Sequence, residues 1–147
     1  MNIRVVVAGK PALAYARAGV EEYLKRLGRF GLYEMVVVKA GTSAEVSRRL
    51  LERTAGCHRI ALDERGSMWP TMAFHHHVQR LAMRGDVKTL AFLIGAADGH
   101  TDELRETCDG MLAVSSMTLQ HELALLVLLE QLYRLASIEK NSPYHRE

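Results

Sequence analysis

Apolar positions recur along the chain in two alternating rhythms. Five short runs rich in β-branched and apolar residues are nearly continuous: Asn2–Ala8 (NIRVVVA), Glu34–Val38 (EMVVV), Ile60–Leu62, Thr89–Ile94 (TLAFLI) and Met111–Val114 (MLAV). Continuous rather than strictly alternating runs predict strands of a sheet covered on both faces. Between them the spacing changes to three and four. Leu13, Ala16, Val20, Leu24 and Leu27 line one side of a first predicted helix, with Arg17, Glu21, Glu22, Lys25 and Arg26 outside. Thr42-Ser43-Ala44-Glu45 has the form of a capping box and opens a second, burying Val46 and Leu50. Phe74, Val78, Leu81 and Ala82 mark a third that ends near Gly85, and Thr101 to Cys108 a short fourth. Strand and helix alternate throughout, which predicts an α/β layered domain with a largely parallel sheet.

The fifth predicted helix, about Gln120 to Glu139, breaks the amphipathic rule. Apolar residues from Leu123 to Ile138 occupy nearly every azimuth, leaving a thin polar seam at Glu122, Glu130, Gln131 and Arg134. A helix apolar all round needs cover on all sides. The expectation is that it packs against a second subunit across a two-fold axis; the other reading is a central helix buried within one chain.

Composition narrows the setting. At 147 residues, 48% apolar and 24% charged with three prolines, the chain reads as one globular domain. Two cysteines, Cys57 and Cys108, cannot form a disulfide framework, and no signal-like segment precedes the first strand, so a cytoplasmic location is expected. The longest apolar run, Leu123 to Leu129, falls short of the roughly 20 residues a membrane span needs. Net charge is +2, but residues 1–73 hold twelve Lys/Arg against seven Asp/Glu, and residues 74–147 seven against ten. The basic half is a candidate phosphate-binding face, or else a mixed solvated surface.

Two stretches could hold a ligand. Leu93-Ile94-Gly95-Ala96-Ala97-Asp98-Gly99-His100 runs from a strand through a small-residue turn into a helix, and Val114 to Glu122 (VSSMTLQHE) joins the last strand to the last helix. Loops at the carboxyl ends of parallel strands are where ligands settle. Neither has the spacing of a dinucleotide fingerprint or P-loop. The second would suit a small amphipathic ligand such as a nucleoside, or serve only as a helix cap. His75-His76-His77 lacks partners at helical metal spacing, so no metal is expected, with His77 flanking the core and His76 solvated. The tail, Asn141 to Glu147, gathers Tyr144, His145 and Arg146, residues that stack on a base, move a proton and hold a phosphate.

FLIGAADG, VSSMTLQHEL, IALDERG, the N-terminal VVVAGK with EEYLKRLGRF, and LLEQLYRLASI followed by PYHRE together resemble the ribosomal RNA large subunit methyltransferase H family along the whole chain. The resemblance implies a single SPOUT-class α/β domain over residues 1–147, homodimeric, with a C-terminal trefoil knot and the dimer helix within about residues 89–147. It implies S-adenosylmethionine-dependent methylation of N3 of a pseudouridine in 23S ribosomal RNA on the assembled ribosome. The methyl donor would lie against Leu62, Gly95 and the segment Val114, Ser115, Ser116, Met117, Thr118 and Leu119. His145, Tyr144 and Arg146 would be catalytic, and Lys10, Arg17, Lys25, Arg26, Arg29 and Arg134 would face RNA. The chain departs from the family pattern at Ala96, where a glycine is usual, at Gln120, where a proline is usual, and near Ala124, where an arginine is usual. The alternative is a catalytically silent RNA- or ribosome-binding homologue.

Overall fold

The computed structural model describes residues 1–146. Ten elements alternate along it: β1 (Asn2–Ala8), α1 (Ala14–Leu27), β2 (Tyr33–Val38), α2 (Ser43–Glu52), β3 (His58–Ser67), α3 (Thr71–Arg84), β4 (Thr89–Ile94), α4 (Asp102–Thr107), β5 (Gly110–Leu112) and α5 (His121–Glu139). The strands form one parallel sheet in the order β2-β1-β4-β3-β5.

Side-chain alternation within each strand divides the core in two. Val5, Val7, Leu90, Phe92 and Ile94 point to the face covered by α1, α3 and α5. Val6, Ala91 and Leu93 point to the opposite face, covered by α2 and α4 through Val46, Leu50 and Leu104. Both faces are therefore dry, which is why the strands read as unbroken apolar runs. Phe92 is fully buried and meets Phe74 of α3 edge to face, with ring centroids 5.9 Å apart.

Helix ends follow their local chemistry. Thr42 and Glu45 form the expected capping box on α2, and Gly85 closes α3 in the left-handed conformation that favours glycine. The first helix has no cap of its own at Leu13. Instead the buried carboxylate of Glu122, in the first turn of α5, accepts hydrogen bonds from the amides of Ala12 (2.7 Å) and Leu13 (3.0 Å). Gly19, in the middle of α1, lets α5 approach closely: a Cβ there would stand 2.6 Å from a methyl carbon of Leu126.

Two expectations change. The third strand is longer than Ile60–Leu62; its register against β5 jumps between Leu62 and Ser67, both of which align with Leu112, so Asp63–Gly66 bulge out of the ladder. That polar stretch broke the apolar run and hid the strand's second half. The fifth strand is Gly110–Leu112 rather than Met111–Val114. Much of the cover for α5 comes from its own chain. Packed against α1 and α3, it buries Leu125, Leu128, Leu129, Leu132, Leu135 and Ala136 within its own chain, and no residue before Glu139 is fully exposed. The helix's all-round apolar character is mostly satisfied by the monomer, leaving residues such as Leu123 and Val127 half-buried.

Candidate functional site at the carboxyl edge of the sheet

Parallel strands deliver all their carboxyl ends to one edge, and there the Leu62–Arg65 stretch of β3 and the loops after β4 and β5 line a cavity of about 480 Å³. Of the residues expected to hold the donor, Leu62, Gly95, Val114, Ser115, Met117, Thr118 and Leu119 line it and Ser116 does not: the amide of Met117 donates to Ser115 Oγ in a tight local turn, and the wall is formed by the residues on either side of Ser116.

The bulge after Leu62 supplies charge. Asp63 has a nearly buried side chain whose Oδ2 accepts from Arg105 Nε at 2.7 Å, while Oδ1 accepts from the Arg65 amide at 2.9 Å. Burial pushes this carboxyl upward, but Arg105 and the Arg65 amide outweigh it and hold it below the usual aspartate range. Arg105 also bonds Asp102 at 2.7 Å. Beside this pair, Thr118 donates its hydroxyl to Glu64 (2.8 Å), tying the β3 bulge to the loop after β5. Gly66 makes the bulge feasible, because a Cβ there would lie 2.6 Å from the backbone of Met111 and Leu112.

The β4–α4 turn is held from outside. Gly99, at φ 76°, donates its amide to Ala96 and accepts at its carbonyl from Ser43 of α2 (2.9 Å each). Ala96 is absent from the positive-φ residues, so its methyl group is accommodated without backbone strain. Gln120 takes over the cap of α5, its side-chain oxygen accepting from the amides of Glu122 (2.8 Å) and Leu123 (3.1 Å). Ala124 lies on the cavity wall, where its short side chain leaves space.

His100 was missed as a site residue, although it ends the turn already singled out. It lines the cavity and is 5% exposed. Only its burial, invisible in a single sequence, distinguishes it from a solvated loop histidine.

The tail forms a second centre. Tyr144 lies edge-on to Tyr133 at 4.6 Å, under the Arg134 guanidinium at 4.9 Å. Its hydroxyl bonds Glu130 (3.0 Å) and Tyr23 (3.1 Å). Burial and these two bonds raise its pKa, so it stays a phenol. Arg134 bonds Glu130 at 2.7 Å and contacts His145 Nδ1 at 3.2 Å. A guanidinium can only donate, so Nδ1 is the acceptor and the neutral ring carries its proton on Nε2, which is buried without a partner among the described residues. Arg134, His145 and Arg146 border a shallow depression with Pro70, Thr71 and Met72. It shares no residue with the donor-side cavity. From Ala124 to Arg134 the helix alone advances about 15 Å.

The expected RNA face is likewise divided. Lys10 follows β1 at the cavity end of the sheet, whereas Lys25, Arg26 and Arg29 lie at or beyond the far end of α1, roughly 20 Å away along the helix. Arg26 packs over the rings of Tyr23 and Tyr133, each 5.5 Å away, and so borders the tail. Among the three consecutive histidines, His76 is exposed and His77 flanks the core against Trp69 at 4.5 Å, both as expected, while His75 is buried. Both cysteines are half-buried, and burial pushes the Cys108 thiol up to about 11.

Comparison with known proteins agrees with this architecture. The family described as predicted SPOUT methyltransferase matches residues 1–145. Ribosomal RNA large subunit methyltransferase H from Thermus thermophilus is 44% identical over 146 residues, covering 99% of each chain. The protein of the same name from Deinococcus radiodurans is 38% identical, again over 99% of each. A crystal structure described as a probable methyltransferase from Bordetella pertussis Tohama I has the same fold, with a TM-score of 0.60 at 14% identity, covering 92% of this chain and 96% of that one. By this full-length match in sequence, the chain belongs to the SPOUT methyltransferases, in the ribosomal RNA large subunit methyltransferase H family.

Proposed function

We propose that the protein transfers a methyl group from S-adenosylmethionine to N3 of a pseudouridine in 23S ribosomal RNA within the assembled ribosome. It would act in the cytoplasm as a homodimer whose C-terminal part forms a trefoil knot. The observation that carries this reading is the cavity built from the ends of β3, β4 and β5. Its volume falls in the range of small-molecule sites, roughly 300–1,000 Å³, and its walls combine apolar Leu62, Ile94, Leu112 and Leu119 with a few fixed polar groups. The names of the relatives support a large-subunit RNA substrate. No helix among the described residues is long and apolar enough to cross a membrane.

When bound, S-adenosylmethionine supplies an electrophilic methyl group. The protein's task is alignment with the attacking nitrogen and control of the imide proton. Leu62, Gly95 and the 114–119 segment would hold the donor, with Glu64 placing negative charge on the wall. Tyr144, His145 and Arg146 would meet the base. With Arg134 occupying Nδ1, His145 presents Nε2–H, so its role is to donate a hydrogen bond to the imide as negative charge develops, with the Arg134 guanidinium behind it. The imide proton passes to solvent water, its loss assisted by that field, and His145 does not act as a base in this arrangement.

The cavity meets α5 at His121 and Ala124 and the tail meets it at Glu130–Arg134, and this separation supports a dimer in which one subunit's tail serves the other's cavity. Exposed Leu13 and Tyr15 beside half-buried Leu123 and Val127 offer apolar surface for that contact. The test is transfer of labelled methyl from S-adenosylmethionine to ribosomes lacking the modification, followed by nucleoside mapping. One methyl group on a large-subunit pseudouridine is expected. Donor binding without transfer would instead favour a silent ribosome-binding homologue, the reading that alanine at position 124 supports.

A further inference from the structure

We propose that Nδ1 of His100 accepts a hydrogen bond from the nucleoside half of the bound methyl donor, making His100 a specificity-determining residue of the cavity. The inference rests on the donor-site reading above. The tautomer follows from geometry. Nε2 lies 3.1 Å from the Leu93 carbonyl oxygen at the end of β4. A carbonyl oxygen can only accept, so Nε2 carries the proton. The other nitrogen is buried, and no group among the described residues makes a hydrogen bond to it.

The surroundings keep the ring neutral. Burial lowers its affinity for a second proton; Asp63 on the β3 bulge opposes this and Arg105 on α4 adds to it. Neutral imidazole leaves a bare lone pair on Nδ1. The Nδ1–Cε1 edge rests against Gly95, where a Cβ would come within 3.2 Å of Nδ1. Glycine at this position therefore lets that edge pack closely against the end of β4, in a ring that is part of the cavity lining. An unpaired buried acceptor is costly and invites a partner.

The chemistry of that partner is constrained. The donor's ammonium group is a cation better matched to the Glu64 carboxylate on the same wall. A neutral imidazole close to the Arg105 charge suits a neutral donor, either the adenine amino group or a ribose hydroxyl. A histidine that merely secured the turn to Leu93 would use Nε2 alone and be indifferent to ligand.

The experiment is calorimetric titration with S-adenosylhomocysteine and with analogues lacking the 6-amino group, the 2′-hydroxyl or the 3′-hydroxyl. Wild-type protein should bind one of these analogues about tenfold more weakly than the parent, the effect of one lost hydrogen bond. H100L should bind the parent about tenfold more weakly and no longer distinguish that analogue. H100Q, whose amide can both donate and accept, should restore the discrimination. Thermal unfolding of the ligand-free variants registers the lost Leu93 bond separately. In wild-type protein carrying ¹⁵N-labelled histidine, Nδ1 of His100 should shift from a bare to a hydrogen-bonded acceptor on ligand addition. Undiminished discrimination in H100L, or a proton on Nδ1 in the complex, overturns the inference while leaving the donor site intact. Failure of wild-type protein to bind S-adenosylhomocysteine overturns both.

Discussion

Asp63 shows how a single carboxylate shapes the cavity. Its side chain is 5% exposed, and its two oxygens are divided between the Arg105 guanidinium and the Arg65 amide, so it fixes α4 and the β3 bulge at once. D63N retains the shape but weakens both bonds, and chemical denaturation should show a loss of about 2 kcal/mol. The pH dependence has a defined sign. The folded carboxyl titrates below the unfolded one, so its contribution is complete above the unfolded value near 4 and disappears as pH falls through the lower folded value. Unfolding titrations of wild type and D63N should therefore differ at neutral pH and converge in acid. At the tail, His145→Ala should lower methyl transfer at least tenfold while calorimetry finds donor binding unchanged. Wild-type turnover in that variant would exclude His145 from the reaction.

At the scale of elements, the cross-chain cap on α1 is the contact most open to test. Glu122→Ala would leave the Ala12 and Leu13 amides without their acceptor, and thermal melts should register a loss of about 1–2 kcal/mol. This contact also marks where reading the sequence stops. Strand positions in β1 and β4, the capping box on α2 and the glycine stop on α3 were legible because each depends on neighbours a few residues away. The Glu122 carboxylate and its partners are 110 and 109 residues apart in the chain, and no local pattern encodes them. The site divides in the same way. The three ligand loops follow from the strand ends, whereas the burial of His100 and the Asp63–Arg105 pair depend on which loops the sheet order brings together. The apolar azimuths of α5 were read correctly as needing cover, yet the pattern could not tell whether α1 and α3 or a second subunit would provide it.

The whole molecule has two candidate centres. The cavity holds the residues proposed for the methyl donor and the tail those proposed for the base, and the two share no lining residue, so in the proposed reaction each needs the other. Mixing two inactive proteins, G95V with a blocked cavity and His145→Ala with a damaged tail, should restore activity if sites form between subunits. With random exchange about half the dimers are mixed and each has one intact site, giving about a quarter of wild-type activity. No recovery, or a monomer by sedimentation, would place the complete site within one chain.

The Glu122 contact also orders events during synthesis. A chain emerging from the ribosome exposes α1 early, but the carboxylate that satisfies its first amides belongs to the last helix made. Until α5 docks, α1 has unsatisfied donors and a bare groove at Gly19. The first and last helices therefore consolidate together, and a nascent chain truncated before residue 121 should leave α1 susceptible to protease, with protection arriving in one step once α5 has been released from the exit tunnel.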